Sequence, residues 1–96
     1  MHRSTSDILM PGGLPVGVAG SRPEIRELTG DAGVARDFFD ELTDGGLDVT
    51  APAYPGTLRK LPGGGTVGLR PASKSGLPTI DVNIPGINID KVKFLP

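Results

Sequence analysis

The stretch that decides the fold is Thr66-Val-Gly-Leu-Arg-Pro-Ala-Ser-Lys-Ser-Gly-Leu-Pro-Thr-Ile-Asp-Val-Asn-Ile84. Its two ends alternate apolar and polar residues, which is the period of a half-buried β-strand. Residues 71–78 hold two prolines and a glycine, which interrupt regular structure. The stretch therefore predicts two strands joined by a loop, with cations and hydroxyl groups concentrated at the loop.

The same alternation recurs at the C-terminus and, more weakly, before the quoted stretch. We predict strands at residues 47–50, 57–61, 66–70, 79–84 and 91–95. One face of their sheet would bury the apolar side chains Val67, Leu69, Ile80, Val82, Ile84, Val92 and Phe94. The opposite face would carry the polar side chains Arg70, Thr79, Asp81, Asn83, Lys91 and Lys93. Because the connections are short, neighbouring strands should be antiparallel.

Helical signals lie before these strands. Ser21 and Glu24 have the spacing of a capping box, which predicts a short helix over residues 25–28. Asp31 can cap a second helix that extends to about residue 43. Its apolar positions at helical spacing are Val34, Ala35, Phe38, Phe39 and Leu42. The predicted fold class is α+β, with one or two N-terminal helices packed on an antiparallel sheet of four strands, within a range of three to five.

Composition divides the chain into a tail and one domain. Residues 1–20 are polar and then rich in Gly and Pro, so we expect a flexible tail or linker there and a folded domain over residues 21–96. The chain has no cysteine, so no disulfide framework can form. The N-terminus lacks the apolar region of a signal peptide, and no apolar run is long enough to cross a bilayer. We therefore expect no membrane partner, and we expect a monomer.

Charge is distributed unevenly along the chain. Residues 1–56 carry a net charge of −5, whereas residues 57–96 carry +4. A basic half in a nearly neutral protein favours a local anionic partner such as RNA. The alternative is that each half only solvates its own outer surface.

The residues of the loop and the polar face suit the chemistry of a phosphodiester. Cleavage by the ribose 2′-hydroxyl needs a group that orients or deprotonates that hydroxyl, and donors that stabilise the phosphorane. The candidate catalytic residues are Arg70, Ser73, Lys74, Ser75, Thr79 and Asp81. Further cations that would bind RNA are Arg59, Lys60, Lys91 and Lys93. We expect no metal site, because there is no cysteine and the single histidine, His2, lies in the predicted tail.

Each of these assignments has a structural alternative. Asp81 would be explained equally well by a cross-strand ion pair with Lys91 or Lys93. Thr79 suits a strand by its β propensity alone. Ser73 and Ser75 are also typical turn residues.

The run from Gly65 to Val82, together with Lys91-Val-Lys-Phe94, resembles the C-terminal toxin domains of bacterial polymorphic toxins. Such domains end contact-dependent inhibition proteins, Rhs proteins and related secreted effectors, and the resemblance covers residues 21–96. Many belong to the barnase/EndoU/colicin/RelE-like ribonuclease group, which has helices followed by a four-stranded antiparallel sheet with the active site on its exposed face. The positions that the resemblance carries over are Arg70, Ser73, Lys74, Ser75 and Thr79.

The resemblance implies a ribonuclease without cofactor that cleaves RNA, most often tRNA in this group. It also implies a cognate immunity protein, and delivery into the target-cell cytoplasm by a larger secreted protein. From the residues alone a second hypothesis stays open, namely a non-catalytic module whose basic face binds RNA or an acidic protein. A DNase, the third hypothesis, would ordinarily need metal ligands that the sequence does not group together.

Overall fold

The structure is a computed structural model that describes residues 4–72 and 76–96. Within these residues the α-helices are α1 (Thr5–Leu9) and α2 (Ala32–Leu42), and a 3-10 helix spans Pro11–Gly13. The strands are β1 (Val18–Ala19), β2 (Ile25–Thr29), β3 (Leu47–Asp48), β4 (Thr57–Lys60), β5 (Thr66–Arg70), β6 (Thr79–Asn83) and β7 (Lys91–Leu95). The predicted α+β class is confirmed, and each strand predicted from residue 47 onward is present.

The strands form one sheet in the order β1-β2-β7-β6-β5-β4-β3. Strands β2 and β7 pair in parallel, and the other described pairs are antiparallel. The sheet is therefore mixed, and with seven described strands it is larger than the predicted antiparallel sheet of three to five. The additional strands, β1 and β2, come from the part of the chain before α2, where no strand was predicted.

Residues 25–28, predicted as a short helix, belong instead to strand β2, so this prediction was wrong. The Gly20 amide donates to the carbonyl of Ile25 at 2.7 Å, and residues 21–24 form the turn of the β1–β2 hairpin. On its other side β2 pairs along its whole length with β7, from Ile25 opposite Lys91 to Thr29 opposite Leu95. Sheet pairing on both sides overrides the local capping signal, because intrinsic helix propensity is weak beside tertiary context.

Helix α2 begins and ends where the sequence predicts. The Asp31 carboxylate accepts a hydrogen bond from the Val34 amide at 2.9 Å, as an N-cap residue does. After Thr43 the chain turns through Gly45, whose φ of 77° favours glycine. The inner side of the helix buries Ala35, Phe39 and Leu42 against the sheet. Helix α2 thereby covers one face of the sheet and leaves the polar face for a functional site.

The face of the sheet toward α2 holds the apolar side chains that were predicted to be buried. Ile84 is partly buried, and the other six side chains are fully part of the core: Val67, Leu69, Ile80, Val82, Val92 and Phe94. Burial of each large apolar side chain contributes about 1.5–3 kcal/mol. The period of two therefore predicted the inner face correctly.

The segment expected to be a flexible tail also contributes to this core. Ile8 and Leu9 of α1 are 3% and 0% exposed, and the Thr5 hydroxyl donates to the carbonyl of Leu42 at 2.9 Å. Part of the segment expected to be a tail, Ile8 and Leu9 of α1, thus packs on the domain, while most of residues 11–20 are exposed. The apolar pair lies in a helix of five residues, which is too short to show a helical period. Neither described α-helix has the length and apolar character that a membrane span requires.

Candidate nucleic-acid interface

Strand register places most of the described site residues on the face of the sheet opposite α2, which we call the outer face. Residues that pair directly in a sheet point to the same side. Arg70 pairs with Thr79, which pairs with Lys93. In the next outer-face row Asp81 pairs with Lys91 and with Gly68. The outer face therefore carries Arg70, Thr79, Asp81, Lys91 and Lys93, as the alternation predicted.

Arg70 and Asp81 form a two-pronged ion pair at the centre of this face. The Arg70 Nε donates to Asp81 Oδ2 at 2.7 Å, and its Nη2 donates to Oδ1 at 2.9 Å. The side chains are 18% and 30% exposed, so the pair is partly shielded from water. The hydrogen bonds from Arg70 to Asp81 raise the pKa of the Arg70 guanidinium further above its usual value. The sequence had offered Lys91 or Lys93 as partners for Asp81, and the structure selects Arg70.

Tyr54 is a third member of this cluster and was not predicted. Tyr54 lies in the loop that joins β3 to β4, and its hydroxyl donates to Asp81 Oδ2 at 2.8 Å. A turn holds that loop, since the Tyr54 amide donates to the Ala51 carbonyl at 3.0 Å. Burial, followed by the hydrogen bond to Asp81, raises the pKa of Tyr54 well above its usual range. The hydroxyl therefore keeps its proton and remains a donor at neutral pH.

A glycine inside β5 makes room for Tyr54. A Cβ atom on Gly68 would lie 2.6 Å from Cζ of Tyr54, which is closer than atoms can approach without a shift. Glycine inside a strand often marks such a close approach. This is the signal by which the sequence could have indicated a covering side chain over β5, although not which one.

Thr79 occupies its predicted place, but its hydroxyl is engaged with the backbone. The side chain is fully buried, and Oγ1 donates to the carbonyl of Leu77 at 3.1 Å. Thr79 thus bonds to the backbone just before the start of β6. The predicted site residues Ser73, Lys74 and Ser75 lie outside the described residues.

The cations predicted to bind RNA divide between the two faces. Lys60 pairs with Thr66 on the outer face, as Lys91 and Lys93 pair with Asp81 and Thr79. Glu27 lies beside Lys93 on the same face, since the two residues pair between β2 and β7. Lys60, Lys91 and Lys93 give the outer face a positive excess beside the Arg70–Asp81 pair.

Arg59, which was also predicted to bind RNA, lies on the other face, toward α2. Its Nη1 donates to Asp40 Oδ1 at 2.9 Å and to the Thr43 hydroxyl at 3.0 Å. Its guanidinium also lies 4.8 Å above the ring of Phe39. The physical reason is strand alternation, because Arg59 pairs with the core residue Val67.

A separate cavity of about 500 Å³ lies at the opposite end of β5 from Arg70. Its walls come from the start of α1, the end of α2, and the turns that follow β4 and β6. The lining residues include Thr5, Leu42, Leu61, Pro62, Ile84 and Ile87. None of the described residues predicted for the site lines it. Among the described residues no three His, Asp or Glu side chains are grouped as a metal site requires.

Comparison of the chain with protein-family models, with curated proteins and with solved structures finds no match. The resemblance to polymorphic-toxin domains therefore remains a prediction from the quoted motifs.

Proposed function

We propose that this chain is a ribonuclease domain of the polymorphic-toxin type that binds RNA on its outer face. The observation that carries the proposal is the Arg70–Asp81 pair, which fixes a guanidinium at the end of β5. Ser73, Lys74 and Ser75 follow Arg70 closely in the sequence. A guanidinium has more N–H donors than one carboxylate uses, so Arg70 has donors left for a phosphate oxygen.

The reaction that fits these groups is attack of a ribose 2′-hydroxyl on the adjacent phosphorus. The 2′-oxygen forms a bond to phosphorus and loses its proton to a base, while the bond to the 5′-oxygen breaks and that oxygen takes up a proton. The products are a 2′,3′-cyclic phosphate and a free 5′-hydroxyl. Arg70 and Lys74 would stabilise the charge of the phosphorane, with Ser73 or Ser75 positioning the phosphate. Asp81 would orient Arg70, and the outer-face lysines would bind the flanking backbone.

This proposal assigns the chain a tRNA substrate, a role in competition between bacteria and a cognate immunity protein. A positive outer face would favour an inhibitor with acidic groups, since complementary charge speeds association. Such a domain would reach the target-cell cytoplasm on a larger secreted protein. No metal ion takes part in the reaction proposed here.

The alternative is a non-catalytic module that binds RNA or an acidic protein. Two contacts favour it. Asp81 already neutralises Arg70, and the Thr79 hydroxyl is bonded to Leu77 rather than directed at a ligand. Lys60, Lys91 and Lys93 would then carry the binding without any chemistry.

The deciding experiment incubates the purified chain with total RNA and with tRNA, in EDTA and in magnesium. We expect cleavage in EDTA and fragments that end in a cyclic phosphate. Arg70→Ala and Lys74→Ala should each reduce the rate by roughly 10²–10³, as the loss of one oxyanion donor does. Arg36→Ala is the matched control, because Arg36 lies half exposed on α2, away from the outer face. Cleavage in magnesium alone would contradict the metal-free reaction, and tight binding without cleavage would support the alternative.

A further inference from the structure

We propose that Tyr54 is the positioning residue of the outer-face site, holding Asp81 so that the carboxylate in turn fixes the direction of the Arg70 guanidinium. The inference rests on the proposed function, in which the Arg70 guanidinium has to point toward a bound phosphate. It goes beyond that function in naming a residue from a different part of the chain, the loop between β3 and β4.

The contacts around Asp81 show how one hydroxyl can set the direction of an arginine. Oδ2 accepts from both the Tyr54 hydroxyl at 2.8 Å and Arg70 Nε at 2.7 Å, while Oδ1 accepts from Nη2. An aspartate on a strand can rotate about its terminal torsion, which is broad and weakly restrained. The Tyr54 hydroxyl is a second donor to Oδ2 and comes from a loop outside β5 and β6. Its bond therefore restrains the rotation of the Asp81 carboxylate. The guanidinium is planar and bonded through two nitrogens, so it follows the plane of the carboxylate.

Tyr54 is held firmly enough to serve as this external anchor. Its ring end packs over Gly68, the residue that pairs directly with Asp81 across β5 and β6. Its backbone is restrained on both sides, by the bond from the Tyr54 amide to Ala51 and by a bond of 2.9 Å from the Gly56 amide to the Tyr54 carbonyl. Burial raises the pKa of Tyr54 above its usual value, which moves the loss of the hydroxyl proton further from neutral pH.

A purely structural role would also place Tyr54 against Gly68, so the test must separate packing from positioning. Tyr54→Phe keeps the ring and removes only the hydroxyl. The control is Thr50→Val, which removes a hydroxyl from the same loop. The Thr50 hydroxyl donates to Asp48 and accepts from the Leu58 amide, and neither bond involves Asp81. Thr50→Val therefore loses at least as many hydroxyl hydrogen bonds as Tyr54→Phe, but only Tyr54→Phe loses a bond to the carboxylate that holds Arg70.

The first measurement is the hydrogen-exchange rate of the Arg70 Nε–H by nuclear magnetic resonance, which needs no ligand. We expect Tyr54→Phe to accelerate this exchange several-fold, and Thr50→Val to leave it unchanged. The second measurement is the affinity for a short single-stranded RNA. A lost hydrogen bond to a charged group should weaken binding by up to about tenfold. In the Arg70→Ala background the same substitution should have no further effect, since the guanidinium that Tyr54 positions is absent.

The outcomes are distinguishable. An exchange rate that Tyr54→Phe leaves unchanged would overturn the positioning role, whatever the RNA result. Equal losses of affinity with and without Arg70 would also overturn it, because Tyr54 would then act on RNA independently. Failure of the unaltered chain to bind RNA would contradict the proposed function, while the exchange rates would still decide whether Tyr54 positions Arg70.

Discussion

Tyr54 packs into the space that Gly68 leaves by having no side chain. The two residues are connected further through Asp81, which pairs with Gly68 across the sheet and accepts the Tyr54 hydroxyl bond at 2.8 Å. A backbone position in β5 therefore controls whether the loop between β3 and β4 can reach the outer face. The contact between Tyr54 and Asp81 on this face therefore requires the absence of a Cβ atom at Gly68 as well as the charged groups.

Gly68→Ala should displace Tyr54 from Asp81. The added methyl group would overlap the hydroxyl end of Tyr54, and overpacking of this kind typically costs about 1–3 kcal/mol. Because Tyr54 would become more exposed, its pKa should also fall toward the ordinary value of about 10. Urea denaturation and absorbance titration of the single tyrosine measure the two effects. Gly63→Ala is the control, since nothing lies within 4 Å of a Cβ there. Unchanged titration of Tyr54 in Gly68→Ala would contradict the prediction.

Tyr54 should make the free energy of unfolding fall at alkaline pH. Its pKa is higher in the folded chain than in the unfolded one, so the folded state holds the proton longer. The stabilisation is therefore fully present below the unfolded pKa of about 10, and it is lost as the pH rises above that value. Tyr54→Phe should remove this part of the decline, which urea denaturation at a series of alkaline pH values would show. Parallel curves for the two chains above that pH would refute the assignment.

The sequence predicted the parts of the fold that depend on local periodicity. Val67, Leu69, Ile80 and Val82 alternate with polar residues, and this pattern alone assigned the inner and outer faces of β5 and β6. Helix α2 was predicted from its cap at Asp31 and its apolar spacing. These features were predictable because the period of a strand or a helix can be read from residues that are close together in the sequence.

Long-range pairing was not predictable in this way. The strand that begins at Ile25 pairs along its whole length with β7, which lies more than sixty residues later in the chain. The contact of Tyr54 with Asp81 spans 27 residues and has no sequence signal beyond the glycine at position 68. Arg59 shows a different limit. Its parity with Leu61 indicated the inner face, but the apolar Leu58 lies at the opposite parity, so residues 57–61 show no clear alternation.

Leu9→Ala should destabilise the domain if α1 belongs to the core. Leu9 is 0% exposed, and removal of a buried leucine side chain costs about 2–5 kcal/mol. The control is Leu14→Ala, because Leu14 is 71% exposed and its loss should change stability by less than about 0.5 kcal/mol. Urea denaturation of the two variants gives the comparison. Equal stability of Leu9→Ala and the unaltered chain would support the original expectation of a tail.

Arg59 and Lys60 are neighbours in sequence, but substitution of Arg59 should affect stability, whereas substitution of Lys60 should affect RNA binding. Arg59→Ala removes the bonds to Asp40 and Thr43 and the contact with the Phe39 ring, so we expect a loss of about 1–2 kcal/mol in stability. Lys60→Ala should leave stability unchanged and weaken RNA binding, since Lys60 lies on the outer face. Denaturation and RNA affinity are measured on both variants. A larger affinity loss in Arg59→Ala than in Lys60→Ala, at conditions where both are folded, would contradict the division between the faces.

The salt dependence of RNA binding should identify which lysines contact phosphates. Each phosphate contact to a single strand contributes about 0.7 to the slope of log affinity against log salt, through release of counterions. Lys91→Ala and Lys93→Ala should each reduce the slope by about that amount, because both residues lie on the outer face beside the Arg70–Asp81 pair. Arg36→Ala makes the same change in net charge on the helix side, and it should leave the slope unaltered. Equal slopes for all these chains would show that RNA does not track across the outer face. A slope reduced in Arg36→Ala alone would place the RNA on the face that α2 covers.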